Sequence, residues 1–315
     1  MKKIYYITAV FATLFLVGCG DGIDLPGVNV ETDLNKIPLP DNNVNLEQVE
    51  LKPSTEPMLH EGLHTEEDFQ RIRDKKAAGE EPWISAYQLL VESQFSQKTA
   101  DTYPTEWIKR GVSGDENYMN AARGATIAYQ QALRWKIEQD DEYAAKAVEN
   151  LNKWVQTCVG VTGNTNLSLA AGLYGYEFAI AGELLRDYGG WDRADFAAFQ
   201  NWLLKVFYPA NDDFLKRHHD TNALHYWANW CLCNIAAKMA IGIVTDRRDI
   251  YNEGIAHLQT GDTNGRLRRA IYHDYAPDYN FAQWQESGRD QGHTLMCVGL
   301  MGIICQLAWS QGDDF

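Results

Sequence analysis

The sequence predicts an all-α chain whose helices pair into hairpins that can close into a ring, an (α/α) toroid. Three observations carry that expectation. Apolar residues recur at helical spacing in successive runs of 12 to 25 residues. No sustained period-two run of β-branched residues occurs between residues 60 and 260. The runs are joined by short loops rich in Gly, Asp and Asn, which leave consecutive helices as neighbours. At 315 residues, 45% hydrophobic and 12% aromatic, the chain can bury a sizeable core. No residue-level repeat such as a tetratricopeptide pattern is visible.

The first 57 residues stand apart. Lys2 and Lys3 precede an apolar run from Ile4 to Val17, and Leu16-Val17-Gly18-Cys19 closes it. This reads as a signal peptide over residues 1–19 ending in a lipobox, with Cys19 the lipidated first residue of the mature protein. The apolar run is short for a membrane span. Residues 20–57 carry Asn, Asp and five of the nine prolines, with no helical or strand period. They read as a flexible tether that places a domain over residues 58–315 at a membrane surface, periplasmic or on the outer membrane.

Within the domain, Thr65-Glu66-Glu67-Asp68 is a helix start, with a hydroxyl cap and acids in the first turn. Phe69 and Ile72 supply its apolar stripe, and Gly79 ends it. Pro82 opens the next helix, with Trp83, Ala86, Leu89 and Leu90 inward. Helices are then expected over 118–137, 143–158, 167–188, 194–207, 221–245 and 248–258, with a last apolar run over 295–309. The stretch 261–287, polar and rich in Gly, Tyr and Arg, is the one long break in helix, and its content points to function. The chain ends at Gly312-Asp313-Asp314-Phe315 directly after a helix, and we read it as a ring lacking its last part.

Charge and cysteine usage narrow the function. A net charge of −15 argues against a nucleic-acid partner. Six of the eight histidines nevertheless fall between His218 and His293, together with Arg217, Arg266, Arg268, Arg269 and Arg289. That is a locally basic segment in an acidic shell. Beyond Cys19 the cysteines are Cys158, Cys231, Cys233, Cys297 and Cys305, an odd number in apolar helical context, read as buried thiols. Cys231-Leu232-Cys233 has no matching second pair, so neither a metal nor a cofactor is expected.

Three clusters hold the polar chemistry. In Asn222 to Trp230, helical spacing would put Asn222, His225 and Asn229 near one face, flanked by Trp227 and Trp230. Arg266 to Tyr275 sets Tyr272 beside several guanidinium groups, which favour a phenolate. Trp284 to His293 packs Gln285, Glu286, Arg289, Asp290 and His293 ahead of the last helix. Asn, His, Arg and Tyr together suit elimination next to a carboxylate. The α-proton there is weakly acidic, and neutral or cationic donors stabilise the charge that develops as it leaves. A Tyr within reach moves the proton.

These clusters carry a resemblance to the alginate-lyase superfamily of polysaccharide lyases, which are (α/α) toroids. Leu63 to Asp68 with Glu81-Pro82-Trp83 resembles the family's opening helix pair. Asn222 to Trp230 is similar to its Asn-Asn-His-x-Tyr-Trp-x-x-Trp element. Tyr272-His273-Asp274-Tyr275-Ala276 resembles its Tyr-His-x-Tyr-Ala element, and Gln283 to His293, on to Gln311-Gly312, resembles its most specific signature. The chain departs by having Asn222-Ala223-Leu224-His225, so the His is displaced.

The resemblance implies a lyase acting on an anionic, uronate-containing polysaccharide by β-elimination. Tyr272 would be the acid/base, with Asn222, His225 and Arg266 neutralising the carboxylate. Arg268 and Arg269 are alternatives to Arg266, and Asn164 or Asn166 to Asn222. Asn166, Trp227, Trp230, Gln285, Glu286, Arg289 and His293 would bind sugar or support the site. Two other readings are a non-catalytic glycan-binding lipoprotein and an inverting glycoside hydrolase. The hydrolase would need Glu286 with Asp290 or Asp274, roughly 6.5–9.5 Å apart.

Overall fold

The computed structural model describes residues 55–275 and 281–313. The expected signal peptide, Cys19, nearly all of the tether, Ala276 and Tyr279 lie outside them. Thr65 caps α1 (Glu66–Ala77) in a reciprocal box with Asp68, as its sequence foretold, and α2 (Trp83–Glu92) folds back beside it. Then α3 (Tyr118–Glu138) pairs with α4 (Asp141–Thr157), and α5 (Leu167–Leu184) with α6 (Arg193–Val206). A shorter α7 (Tyr208–Arg217) leads to α8 (Ala228–Val244), which pairs with α9 (Arg248–Thr260). The last long helix is α11 (Gln291–Ser310), preceded by the one-turn α10 (Leu267–Ala270).

Packing sorts these helices into two layers. Helices α3, α5, α8 and α11 lie side by side as an inner row, while α4, α6 and α9 return on the outside. Burial follows the layers: every residue of α8 except Trp230 is buried, including Lys238, whose Nζ meets Asp212 at 2.8 Å and Glu253 at 2.5 Å. Two apolar helices approach closely where Gly172 on α5 leaves room. A β-carbon there would stand 2.5 Å from the Cys233 sulfur of α8. Between layers, the Phe178 ring packs against Trp154, Trp202 and Phe207 at 5.2–5.9 Å. This two-layered array of paired helices is the all-α architecture that the periodicity predicted.

The inner helices all begin at one end of the molecule. Asn234 on α8 donates to Ser168 O at the start of α5, at 3.2 Å. Asn229, near the start of α8, reaches Met296 in the second turn of α11. The segments leading into the inner helices therefore gather at that end. These segments are where structure and expectation differ. Strands β1 (Trp107–Arg110) and β2 (Gly160–Gly163) form a small parallel sheet ahead of α3 and α5. Strands β3 (Ile271–Asp274) and β4 (Ala282–Trp284) form an antiparallel pair ahead of α11, inside the expected long break. The helix expected from residue 221 begins only at Ala228. Asn222 Oδ1 accepts the Leu224 N–H at 2.8 Å, and its carbonyl accepts the His225 N–H at 2.9 Å. That side-chain turn competes with helix and wins over 221–227.

Candidate active site

Four segments meet at the end where the inner helices start. The first is the turn Asn222–Trp227. His225 and Trp227 are exposed, and the buried Tyr226 ring packs between His225 at 4.9 Å and Trp230 at 4.6 Å. Asn222 is exposed and braces the turn as described, so it shares no helical face with Asn229.

The second segment holds the turn from below. Asn264 is buried, and its Nδ2 donates to Leu224 O at 3.0 Å and to Tyr226 O at 2.9 Å. Two residues on, Arg266 is half-buried and its Nε donates to Gln259 O at 2.9 Å. Arg269 Nη1 donates to Asp262 O, while Arg268 is exposed. The three arginines thus divide: two are tied to carbonyls, and no carboxylate among the described residues forms an ion pair with either.

The third segment is the β3–β4 hairpin. Tyr272 on β3 is 70% exposed, so its hydroxyl is open to a polymer. Tyr275 is committed to the hairpin: its ring packs on His273 at 4.5 Å and Phe281 at 5.0 Å, and its hydroxyl donates to Gln283 at 3.2 Å.

Gln285, directly after β4, joins the hairpin to the turn. It is buried, its Oε1 accepts the Ala228 N–H at 3.1 Å, and its Nε2 donates to Arg269 O at 3.0 Å. Its own N–H donates to Ala270 O at 2.9 Å. One amide therefore fixes the segment bearing His225 against the segment bearing Arg266 and Tyr272. Glu286 follows with a fully enclosed side chain, paired to Arg289 at 2.7 Å and accepting the Cys297 thiol. Burial and that carboxylate push the Cys297 thiol up to about 12. Asp290 caps α11, accepting the His293 N–H at 2.8 Å and meeting His293 Nδ1 at 2.7 Å. Those bonds hold its carboxyl below the usual range. Gln285 and Glu286 thus lie beneath the surface, while Arg289 is exposed and His293 half-buried.

The fourth segment is the β2–α5 connection. Asn164 is exposed, and its Oδ1 accepts both the N–H and the side-chain amide of the half-buried Asn166 at 2.9 Å. Two residues later Ser168 hydrogen-bonds His219 at 3.0 Å, and the His219 ring packs on Tyr226 at 5.7 Å. The asparagines are therefore linked through His219 to the His225 turn. His219 is a contributor that sequence reasoning passed over, although its place in the His-rich segment was a signal.

Four of the five cysteines expected to be buried are so, but Cys305 on α11 is exposed. Among the described residues no three His, Cys, Asp or Glu side chains gather as a metal site would require.

A sequence model of the alginate lyase family matches residues 72–315. Among solved structures the chain is similar to alginate lyase A1-III from Sphingomonas species A1, with a TM-score of 0.55 at 12% identity. That match covers 82% of this chain and 73% of the other. No curated protein matches the sequence significantly. With most of its length matched, the chain belongs to the alginate lyase family and is a polysaccharide lyase.

Proposed function

We propose that the protein cleaves alginate or a related polyuronate by β-elimination, leaving a 4,5-unsaturated uronate at the new non-reducing end. The observation that carries this reading is the Gln285 bridge, which holds the His225 turn and the Tyr272 hairpin as one unit. Tyr272 takes the proton α to the carboxylate, or returns one to the leaving glycosidic oxygen. Asn222, His225 and Arg266 neutralise the carboxylate as the electron pair moves toward it, and the bond to the leaving oxygen then breaks. Trp227, exposed beside His225, offers a face on which a sugar ring stacks. Asn166, Trp230, Arg289 and His293 complete the sugar-binding wall, with Gln285 and Glu286 supporting it.

An inverting hydrolase fits less well. It needs a carboxylic acid held protonated across a cleft from a base. Glu286 is enclosed against Arg289, and Asp290 is a helix cap with a depressed pKa. Mass analysis of products decides between the two: elimination gives fragments lighter by one water than hydrolysis gives.

We also infer attachment to a membrane through a lipid on Cys19, with the domain periplasmic or on the outer-membrane surface. The lipobox-like sequence Leu16-Val17-Gly18-Cys19 supports this. Detergent partitioning tests it, since Cys19→Ala should move the protein to the aqueous phase.

A further inference from the structure

Three consecutive residues, none of them glycine, hold left-handed backbone: His218, His219 and Asp220 have φ of +50°, +53° and +59°. That conformation is costly for a residue with a side chain, and glycine would relieve it. The chain keeps two histidines and an aspartate there and fastens them instead. The Thr221 N–H and hydroxyl both donate to His218 O, at 3.1 and 2.6 Å. Arg217 Nη2 donates to the Asp220 carboxylate at 2.8 Å. Strained backbone persists only where its surroundings over-determine it, and it gathers at functional sites.

The segment sets the His219 ring between two parts of the site. On one side its Nε2 meets the Ser168 hydroxyl at 3.0 Å, across 51 residues of chain. Ser168 is buried in the first turn of α5, and its carbonyl accepts Asn234 Nδ2 of α8 at 3.2 Å. Two residues before it stands Asn166, itself held by Asn164 Oδ1 at 2.9 Å. On the other side the His219 ring meets the buried Tyr226 ring at 5.7 Å. Tyr226 is the hub of the His225 turn, with Phe214 at 5.2 Å, His225 at 4.9 Å and Trp230 at 4.6 Å.

We propose that His219 is a positioning residue for the elimination. Through Ser168 and Tyr226 it keeps the Asn166 connection and the His225 turn in one register, without itself touching the polymer. The inference rests on the polyuronate reading and adds a residue that the reading did not include. Gln285 joins the His225 turn to the Tyr272 hairpin, and His219 joins the same turn to the asparagines. The four segments of the site thereby become one unit. Groups that act together on one sugar unit must hold their spacing closely, and a displacement of about 1 Å can cost about 10²-fold in rate.

The test is a double-mutant cycle read by elimination kinetics on polymannuronate. His219→Phe keeps a ring against Tyr226 and loses the bond to Ser168, while Ser168→Ala removes the other partner with little change in volume. Each should lower kcat by about 10–100-fold with KM within about twofold, and the double variant should lose no more than either single one. His219→Gln, whose amide reaches the Ser168 hydroxyl, should recover most of kcat. The proposal is overturned if either folded single variant keeps kcat within about twofold of wild type, or if the two losses multiply. Histidine-ring NMR reads the geometry apart from turnover. Ser168→Ala should move the ring signals of His219 and His225 and leave that of His60, bonded to Asp246, in place. If the wild type makes no unsaturated product from any polyuronate, the lyase reading fails. Movement of both ring signals would then still tie the two segments together, and their stillness would overturn the coupling as well.

Discussion

Gln285 Oε1 accepts a hydrogen bond of 3.1 Å from the Ala228 N–H, across 57 residues of chain. The same amide donates to Arg269 O, so one buried side chain satisfies the first turn of an inner helix and steadies the hairpin that carries Tyr272. Gln285→Leu keeps most of the volume and removes both bonds. Leaving buried groups unpaired should cost about 1–3 kcal/mol, read by chemical denaturation. Turnover should fall as well, because the two halves of the site lose register. A Gln285→Leu protein with full stability and activity would show that the bridge is incidental.

Tyr272→Phe removes a hydroxyl and keeps the ring. A lost acid/base group lowers the rate by about 10²–10⁴-fold. One ground-state hydroxyl contact is worth only about 0.5–1.5 kcal/mol. The expected result is turnover abolished with polymer binding nearly intact. If near-full elimination survives, the proton moves through another residue, and His225 is the first to replace.

Arg266→Ala should behave differently. Its charge grips the carboxylate before and during proton transfer, so KM should rise and kcat should fall together. A change in kcat alone would place Arg266 outside the ground-state contact.

Asp290→Ala removes the cap of α11. The expected cost is about 0.5–2 kcal/mol of stability, with elimination reduced less than tenfold. A loss of turnover as large as that of Tyr272→Phe would make Asp290 a catalytic group and revive the hydrolase reading.

Two opposing effects should shape stability against pH. Burial lowers His64 and His257 to about 4, with the carboxylates of Asp68 and Asp262 pulling each partly back. Unfolded rings titrate near 6.5, so the unfolded state binds more protons between those values. Stability should therefore fall as pH drops from about 6.5 to 4. Burial pushes the Glu177 carboxyl up to about 8, opposed by the Tyr176 hydroxyl. There the folded state holds the extra proton, and stability should fall as pH rises from about 4.5 to 8. Glu177→Gln should gain stability relative to wild type across that second window. A gain independent of pH would refute the assignment.

The helices were legible because burial imposes a period. Ala228 to Val244 is apolar almost throughout, as an inner helix must be, and Thr65 with Asp68 declares a helix start. The segments between helices were less legible because one side chain decides them. Asn222 looked like a helical face, yet its side-chain Oδ1 captures the Leu224 N–H and delays the helix by about two turns. Strands of three or four residues, such as Ala282–Trp284, are too short to show alternation. The role of Gln285 depends on partners far along the chain, which spacing does not encode.

The central claim is elimination on a polyuronate, and the most direct measurement is ultraviolet absorbance during incubation with a panel of uronate polymers. Only elimination creates the conjugated alkene that absorbs there. The account predicts a steady rise with at least one polyuronate, absent with neutral polymers and lost in Tyr272→Phe. Chain shortening of the same polymer without any rise in absorbance would contradict it.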